Sequence, residues 1–305
     1  MSTGVTRKDA LLYGGAAVGG LAAGGAVVAA VAVAVERNKG EAPVEGAPIV
    51  APFVDGDLPD SRPDAEQWGT ADEVLVRLAA QQIAQPFLEQ AVVLELRAKA
   101  LHNGKHVALR LAWDDDSADD LDGIRRYHDA VAVQIPTAPG TTPALTMGAP
   151  GSPVHILQWR ATWQRDIDSG GKTGVDQIYP EVIHDVMPDD VLPPQTAQLY
   201  WVGRKAGNPL SQVIRSTPVE EAVAEGFGSV THLPVQAAVG RGTHNGSGWH
   251  VVISTPSART GVGSPLAPGT SWPIAFAVWE GSNENRGGRK HIANWQTLVL
   301  EGAPA

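Results

Sequence analysis

The residues able to do metal or redox chemistry are few in this 305-residue chain, and their scarcity is informative. There is no cysteine, which excludes disulfides, thiolate zinc sites, cysteine-held iron–sulfur clusters and haem attached through a CxxCH motif. Non-covalent haem is left open. There are three methionines, Met1, Met147 and Met187. A thioether is a soft ligand that suits haem iron and raises its potential. Met187 sits in the polar run Asp185–Asp189, and Met147 in Leu145–Pro150 between two strand-like segments. On spacing alone either is an ordinary loop or core methionine. The nine histidines are scattered and form no HExxH pair. Asp114–Asp122 holds six acids in nine residues, a density of hard oxygen ligands that suits calcium, but the spacing is not that of an EF-hand and a solvated loop is the simpler reading. No GxSxG, P-loop or dinucleotide fingerprint is present, so a free-standing enzyme has no visible apparatus.

The elements that would position such residues read as antiparallel β structure. Leu94, Leu96, Ala98 and Ala100 alternate with Glu95, Arg97 and Lys99. The turn pair Asn103-Gly104 follows, and then Val107, Leu109, Leu111 and Trp113 alternate with Ala108, Arg110 and Ala112. A period of two on both sides of a turn that tolerates positive φ is a hairpin. Further strands are expected over 72–79, 129–135, 153–163, 197–202, 248–254, 272–279 and 294–300, and a short helix over 218–226. Gly 34 and Pro 23 supply many turns. The fold class expected is mainly β, an antiparallel β-sandwich with short helices and long loops, spanning 68–305.

The N-terminal part differs. Leu11–Val35 carries no charge and is long enough for one transmembrane or signal-anchor helix. Residues 1–10 contain Arg7-Lys8 ahead of Leu11-Leu12, similar to a twin-arginine export signal with Lys as its second basic residue. Residues 36–67, with five prolines between Glu41 and Pro63, are expected to be a semi-extended linker. The formal net charge is -10. Arg7, Lys8, Arg37 and Lys39 against Asp9 and Glu36 make residues 1–39 basic, so the body is more acidic still. That argues against nucleic-acid binding, which needs phosphate neutralisation.

In order along the chain stand Asn103-Gly104-Lys105 leading to Leu111–Asp115, Asp129–Pro136, Met147-Gly148, His155–Trp159, Gly203–Asn208, Ala224–Gly228, Gly248–Val252, Ala277–Gly281 and Gly288-Arg289-Lys290. With this order, the run from about 92 to 300 resembles the haem-binding gamma subunit of ethylbenzene dehydrogenase. Relatives serve dimethylsulfide dehydrogenase, selenate reductase, chlorate reductase and nitrite oxidoreductase. The resemblance implies a β-sandwich with one non-covalent haem b, whose axial ligands match Met147 and Lys290. It implies a non-catalytic electron-transfer subunit. Its partners would be an iron–sulfur beta subunit, a molybdenum-cofactor alpha subunit, and an external cytochrome or quinone-linked carrier. With the N-terminal helix it implies an exported, membrane-anchored protein at the periplasmic or outer face of the cytoplasmic membrane. Lysine ligates only as the neutral amine. Its neighbour His291 is the rival second ligand, since adjacent strand residues face opposite ways and only one can meet the haem. His155 is a weaker rival. Trp159 and Trp279, with Trp163 and Trp295, are candidates to line the haem slot or the sandwich core. Arg160, Arg204 and Arg289 are candidates for the propionates. The alternative is a haem-free sandwich that binds carbohydrate or another ligand, or a structural anchor subunit.

Overall fold

The computed structural model describes residues 44–303, apart from 172–174, 184, 186, 213 and 214. The expected export signal and membrane span fall outside them. Among the described residues no helix is long and apolar enough to cross a membrane.

The described residues form fifteen strands: β1 Val44–Glu45, β2 Ile49–Ala51, β3 Val74–Arg77, β4 Ala79–Ala80, β5 Glu95–His102, β6 His106–Asp114, β7 Ala130–Pro136, β8 Val154–Arg160, β9 Val219–Ala224, β10 Thr231–His232, β11 Val239–His244, β12 Gly248–Pro256, β13 Ser271–Trp279, β14 His291–Ile292 and β15 Gln296–Leu300. One sheet has the order β1-β3-β5-β6-β12-β11. The other has the order β10-β9-β8-β7-β13-β14-β4, with β15 and β2 continuing from β13. Nearly all pairings are antiparallel, with β1 on β3 and β2 on β15 the parallel exceptions.

Period-two alternation builds the core between the sheets. Leu96, Ala98, Leu109, Leu111, Trp113, Val251 and Ile253 face inward from the first sheet. Val131, Val133, Leu157, Trp159, Ile274, Phe276 and Val278 face them from the second. The β5–β6 hairpin turns as its sequence requires. Gly104 has φ +79°, and the Asn103 side chain accepts from the amides of Lys105 (3.1 Å) and His106 (2.8 Å). On the outer face of the first sheet, Leu101, Ala108 and Val252 are covered by Leu58, Trp68 and Ala71.

Four expectations need correction. Part of the supposed linker is built into the fold: Ile49–Ala51 pairs with β15, and Ile49 and Ala51 are buried. Three residues are too short a run for periodicity to register. The strand expected over 153–163 stops at Arg160, and Ala161–Asp168 is a helix, α1, that buries Trp163. Residues 197–202 lie in short helical turns with Leu199 and Tyr200 exposed, not in a strand. The helix expected over 218–226 is strand β9. Its two acids, Glu220 and Glu221, each have a partner that lets them be buried in the sheet. Glu220 meets Arg160 and His232, and Glu221 meets His155 and the amides of Ala237 and Ala238.

Candidate functional site

The outer face of the second sheet is where the chemistry gathers. Because side chains alternate, the residues opposite its core set point away from the sandwich. On β7 and β13 these are Ala130, Ala132, Gln134, Ala275, Ala277 and Trp279, in register with one another. On β8 and β9 they are Ile156, Gln158, Arg160, Glu220 and Ala222. Ala130, Ala132, Ala277 and Trp279 form a small apolar cluster of their own, flanked by Ile156 and Ile292.

A cavity of about 640 Å³ sits over this face, within the range of cofactor-sized sites. Its floor includes Ala132, Ala222, Ala275 and Ala277. Methyl side chains on adjacent strands leave a flat platform that larger residues would fill. Around it stand Ile83, Leu210, Phe227 and Val230, all substantially exposed, together with Trp279 and Ile292. Its polar members include Gln134, Gln158, the Arg160–Glu220 pair, His232 and Lys290, with Gln81, Gln85 and Thr146 at the rim loops.

Met147 and Lys290 both line this cavity. Their loops leave the sheet from opposite ends of the strands. Met147 lies in the β7–β8 connection, which starts beyond the Pro136–Val154 pair. Lys290 lies in the β13–β14 connection, which starts beyond the Trp279–Ala130 pair.

Each loop is held firmly. Met147 has φ +64°, a left-handed conformation that a non-glycine residue adopts at a cost of about 1–2 kcal/mol. Gly148 follows with φ +84°, and a Cβ there would stand 2.8 Å from the Ser152 carbonyl oxygen and 2.9 Å from that of Ala224. The Met147 carbonyl accepts from the Gly226 amide (2.8 Å), and the Gln134 side chain donates to the Leu145 carbonyl (3.1 Å). On the other side the buried amide of Gln81 is the hub. Its Nε2 donates to the carbonyls of Gly288 and Ala84 (both 2.7 Å), its Oε1 accepts from Ile83 and Ala84, and its backbone N–H donates to the Lys290 carbonyl (2.9 Å). Trp279 Nε1 donates to the Gly287 carbonyl (3.0 Å).

The Lys290 ammonium lies 5.1 Å from the Trp279 ring centroid. Burial lowers its pKa to about 8. From that value, losing the proton at pH 7 costs about 1.4 kcal/mol, against about 5 kcal/mol from an unperturbed 10.5. A neutral amine is therefore within easy reach.

His291 faces the other way. It is fully buried, its Nε2 accepts from the amides of Val92 (3.0 Å) and Val93 (3.2 Å), and its Nδ1 lies 3.2 Å from the Val278 carbonyl. Both ring nitrogens are engaged with the backbone. His155 likewise points into the sandwich, with Nε2 3.1 Å from Glu221. Trp159 does not line the cavity. It is fully buried between the sheets, 4.9 Å from Trp249, and its Nε1 donates to Gln164. The reason is parity: on β8 the cavity takes the even positions 156, 158 and 160. Trp163 is instead packed under Arg215 (4.0 Å), and Trp295 donates to the Pro143 carbonyl. Of the three arginines, Arg160 lines the cavity; Arg204 is buried beside Trp201, and the backbone of Arg289 pairs with that of Arg286.

Sequence reasoning missed the alanine floor, Gln81 and Phe227. A signal for the floor existed: Ala130 and Ala132 alternate with Val131 and Val133, where a solvated sheet face would carry polar residues. The site offers a thioether, an amine of lowered pKa and an apolar platform, a donor set that fits haem iron and a flat macrocycle.

The ethylbenzene dehydrogenase family model matches residues 65–185. The Haloferax mediterranei protein named "Putative respiratory nitrate reductase heme subunit ORF7" is 24% identical over 236 residues, 77% of this chain and 66% of that protein. Chlorate reductase subunit gamma of Ideonella dechloratans is 25% identical over 210 residues, 68% of this chain and 65% of that protein. The chain thus spans just under two thirds of the length of these relatives. Among solved structures, a family 9 carbohydrate-binding module of Caldicellulosiruptor kristjanssonii in complex with glucose aligns over 84% of this chain and 97% of that one. Its TM-score is 0.37 at 8% identity, a likeness too slight to carry an argument. The chain is thus similar to the ethylbenzene dehydrogenase family over residues 65–185, and to a nitrate reductase heme subunit and a chlorate reductase gamma subunit over two thirds or more of its own length.

Proposed function

We propose that this chain is the b-type cytochrome subunit of a molybdenum oxidoreductase complex, holding one non-covalent haem in the cavity on the outer face of the second sheet. The observation that carries the reading is that Met147 and Lys290, from loops at opposite ends of the strands, line one apolar cavity. When bound, haem would supply one-electron ferrous–ferric chemistry. Met147 would give the soft thioether ligand, set in place by its left-handed backbone and the tie to Gly226. Lys290 would give the second ligand as a neutral amine, its proton released on iron binding. His291 is the poorer ligand because binding iron would strip the Val92 and Val93 amides of their acceptor. Trp279 would wall the macrocycle, and the small alanine side chains would leave room for it over the sheet. Arg160, already paired with Glu220, would meet a propionate if one reached it.

In this reading the subunit passes electrons between an iron–sulfur subunit and an external cytochrome or quinone-linked carrier. A molybdenum-cofactor subunit carries out the substrate chemistry. The N-terminal segment would tether the complex, after export, to the outer face of the membrane. The test is a pyridine haemochrome assay on the full-length chain produced with haem supplied. The expected result is one haem b per chain. Folded protein that carries no haem would overturn the reading in favour of a haem-free binding or anchoring sandwich.

A further inference from the structure

A second cluster of chemistry lies away from the haem cavity, and its members are far apart in sequence. Asp115 follows β6, Asp129 precedes β7 and Glu280 follows β13. All three are buried, and one carboxylate oxygen from each lies within 4.8 Å of the others. The acidic run expected as a solvated loop therefore sends one member inside, and only that member joins the cluster.

Among the described residues, none of the three carboxylates is in an ion pair with a lysine or arginine, and the ring of His244 lies against the Asp115 backbone carbonyl. The carboxylates act only as acceptors. Asp129 accepts from the amides of Asp119 (2.7 Å) and Gly281 (2.8 Å) and from Trp249 Nε1 (2.9 Å). Glu280 accepts from the amides of Ser282 (3.1 Å) and Asn283 (2.9 Å), and from both of their side chains. Asp115 Oδ1 accepts from the Ser117 amide (3.0 Å). Asp115 Oδ2 is buried and accepts nothing, and the neighbouring Trp113 indole N–H makes no hydrogen bond of good geometry to it. A buried carboxylate oxygen without a donor is costly, and three such groups repel one another. Burial first, and then this repulsion, push Asp129 to about 8 and Asp115 to about 6.

We infer that Asp115, Asp129 and Glu280 bind a hard divalent cation, of which calcium is the best fit. Oxygen-only ligands on irregular loop backbone suit calcium, whereas magnesium demands a stricter octahedron and keeps its waters. The cation satisfies Asp115 Oδ2 and cancels the repulsion. It also ties together the ends of three strands from both sheets. Glu280 adjoins Trp279 and gathers the amides that open the loop leading to Lys290. The site stands whether or not haem is bound in the cavity.

The test uses the full-length chain, stripped of metal with chelator and titrated with calcium chloride alone, or magnesium chloride alone, by calorimetry and by thermal melting. The expected result is one calcium per chain and a melting point raised by about 5 °C or more at saturation, with magnesium at least about tenfold weaker. Asp115→Asn keeps the Oδ1 acceptor, so it folds, and weakens calcium at least about tenfold. No calcium binding at millimolar concentration in folded wild type would overturn the inference. So would unchanged calcium binding in Asp115→Asn. If the metal-free chain gains stability from pH 8 to pH 5 while calcium adds nothing, the carboxylates share protons and the cation site is refuted.

Discussion

Replacing Lys290 by methionine should stabilise the haem-free protein. Burial brings the Lys290 pKa from 10.5 to about 8. At about 1.4 kcal/mol per tenfold, that is about 3 kcal/mol by which the folded state disfavours the ammonium. The sign follows from proton counts. Between pH 8 and 10.5 the unfolded chain holds the proton and the folded chain does not, so stability rises with pH across that window. Below pH 8 both states are protonated, and the whole penalty is present. Lys290 keeps some contact with solvent, which screens part of it, and the Trp279 ring 5.1 Å away returns about 1 kcal/mol. Lys290→Met should therefore gain about 1–2 kcal/mol at pH 7 and lose the dependence between pH 8 and 10.5. Urea unfolding of the haem-free full-length chain, wild type and variant, at pH 7 and pH 10 measures both. A variant no more stable than wild type at pH 7, or an unchanged pH dependence, would refute the assignment of a burial-strained amine.

Three further outcomes follow from the same geometry. Gly148→Ala places a Cβ against the Ser152 and Ala224 carbonyls at a left-handed φ, so it should cost about 2 kcal/mol or more and displace Met147; urea unfolding and the visible spectrum report the two effects. His291→Ala leaves the amide of Val92 and the buried amide of Val93 without an acceptor, costing about 1–3 kcal/mol in the same unfolding assay, yet it should retain a six-coordinate haem. Gln81→Leu removes the hub under the Lys290 loop and should cost about 2–4 kcal/mol. Its midpoint potential, read by spectroscopic titration, should shift although Gln81 offers no ligand atom to the iron.

Much of the sandwich was legible because alternation and turn chemistry agree locally. Asn103-Gly104 between two alternating runs gives β5 and β6 almost to the residue, although Leu94 falls before the strand and is exposed. Strands whose polar residues are paired across the sheet were not legible. Residues 218–226 read as a short helix, and the partners Arg160, His232 and His155 that let Glu220 and Glu221 sit buried in a strand are not their neighbours in sequence. Met147 and Lys290 were reachable only through the family resemblance. No local pattern reports that loops at opposite ends of the strands reach one cavity. The choice of lysine over histidine turns on parity, with Lys290 lining the cavity and His291 bonded to backbone on the other side. Parity also explains Trp159: an aromatic on a strand next to the site is as often behind the sheet as in front of it.

The central claim is that Met147 and Lys290 together hold one haem. It is tested most directly by oxidised and dithionite-reduced visible spectra of the haem-supplied protein as wild type, Met147→Ala, Lys290→Ala and His291→Ala. The account predicts a sharp six-coordinate b-type spectrum in wild type and His291→Ala, lost or turned high-spin in both Met147→Ala and Lys290→Ala. A six-coordinate spectrum that survives Lys290→Ala and disappears in His291→Ala would contradict it.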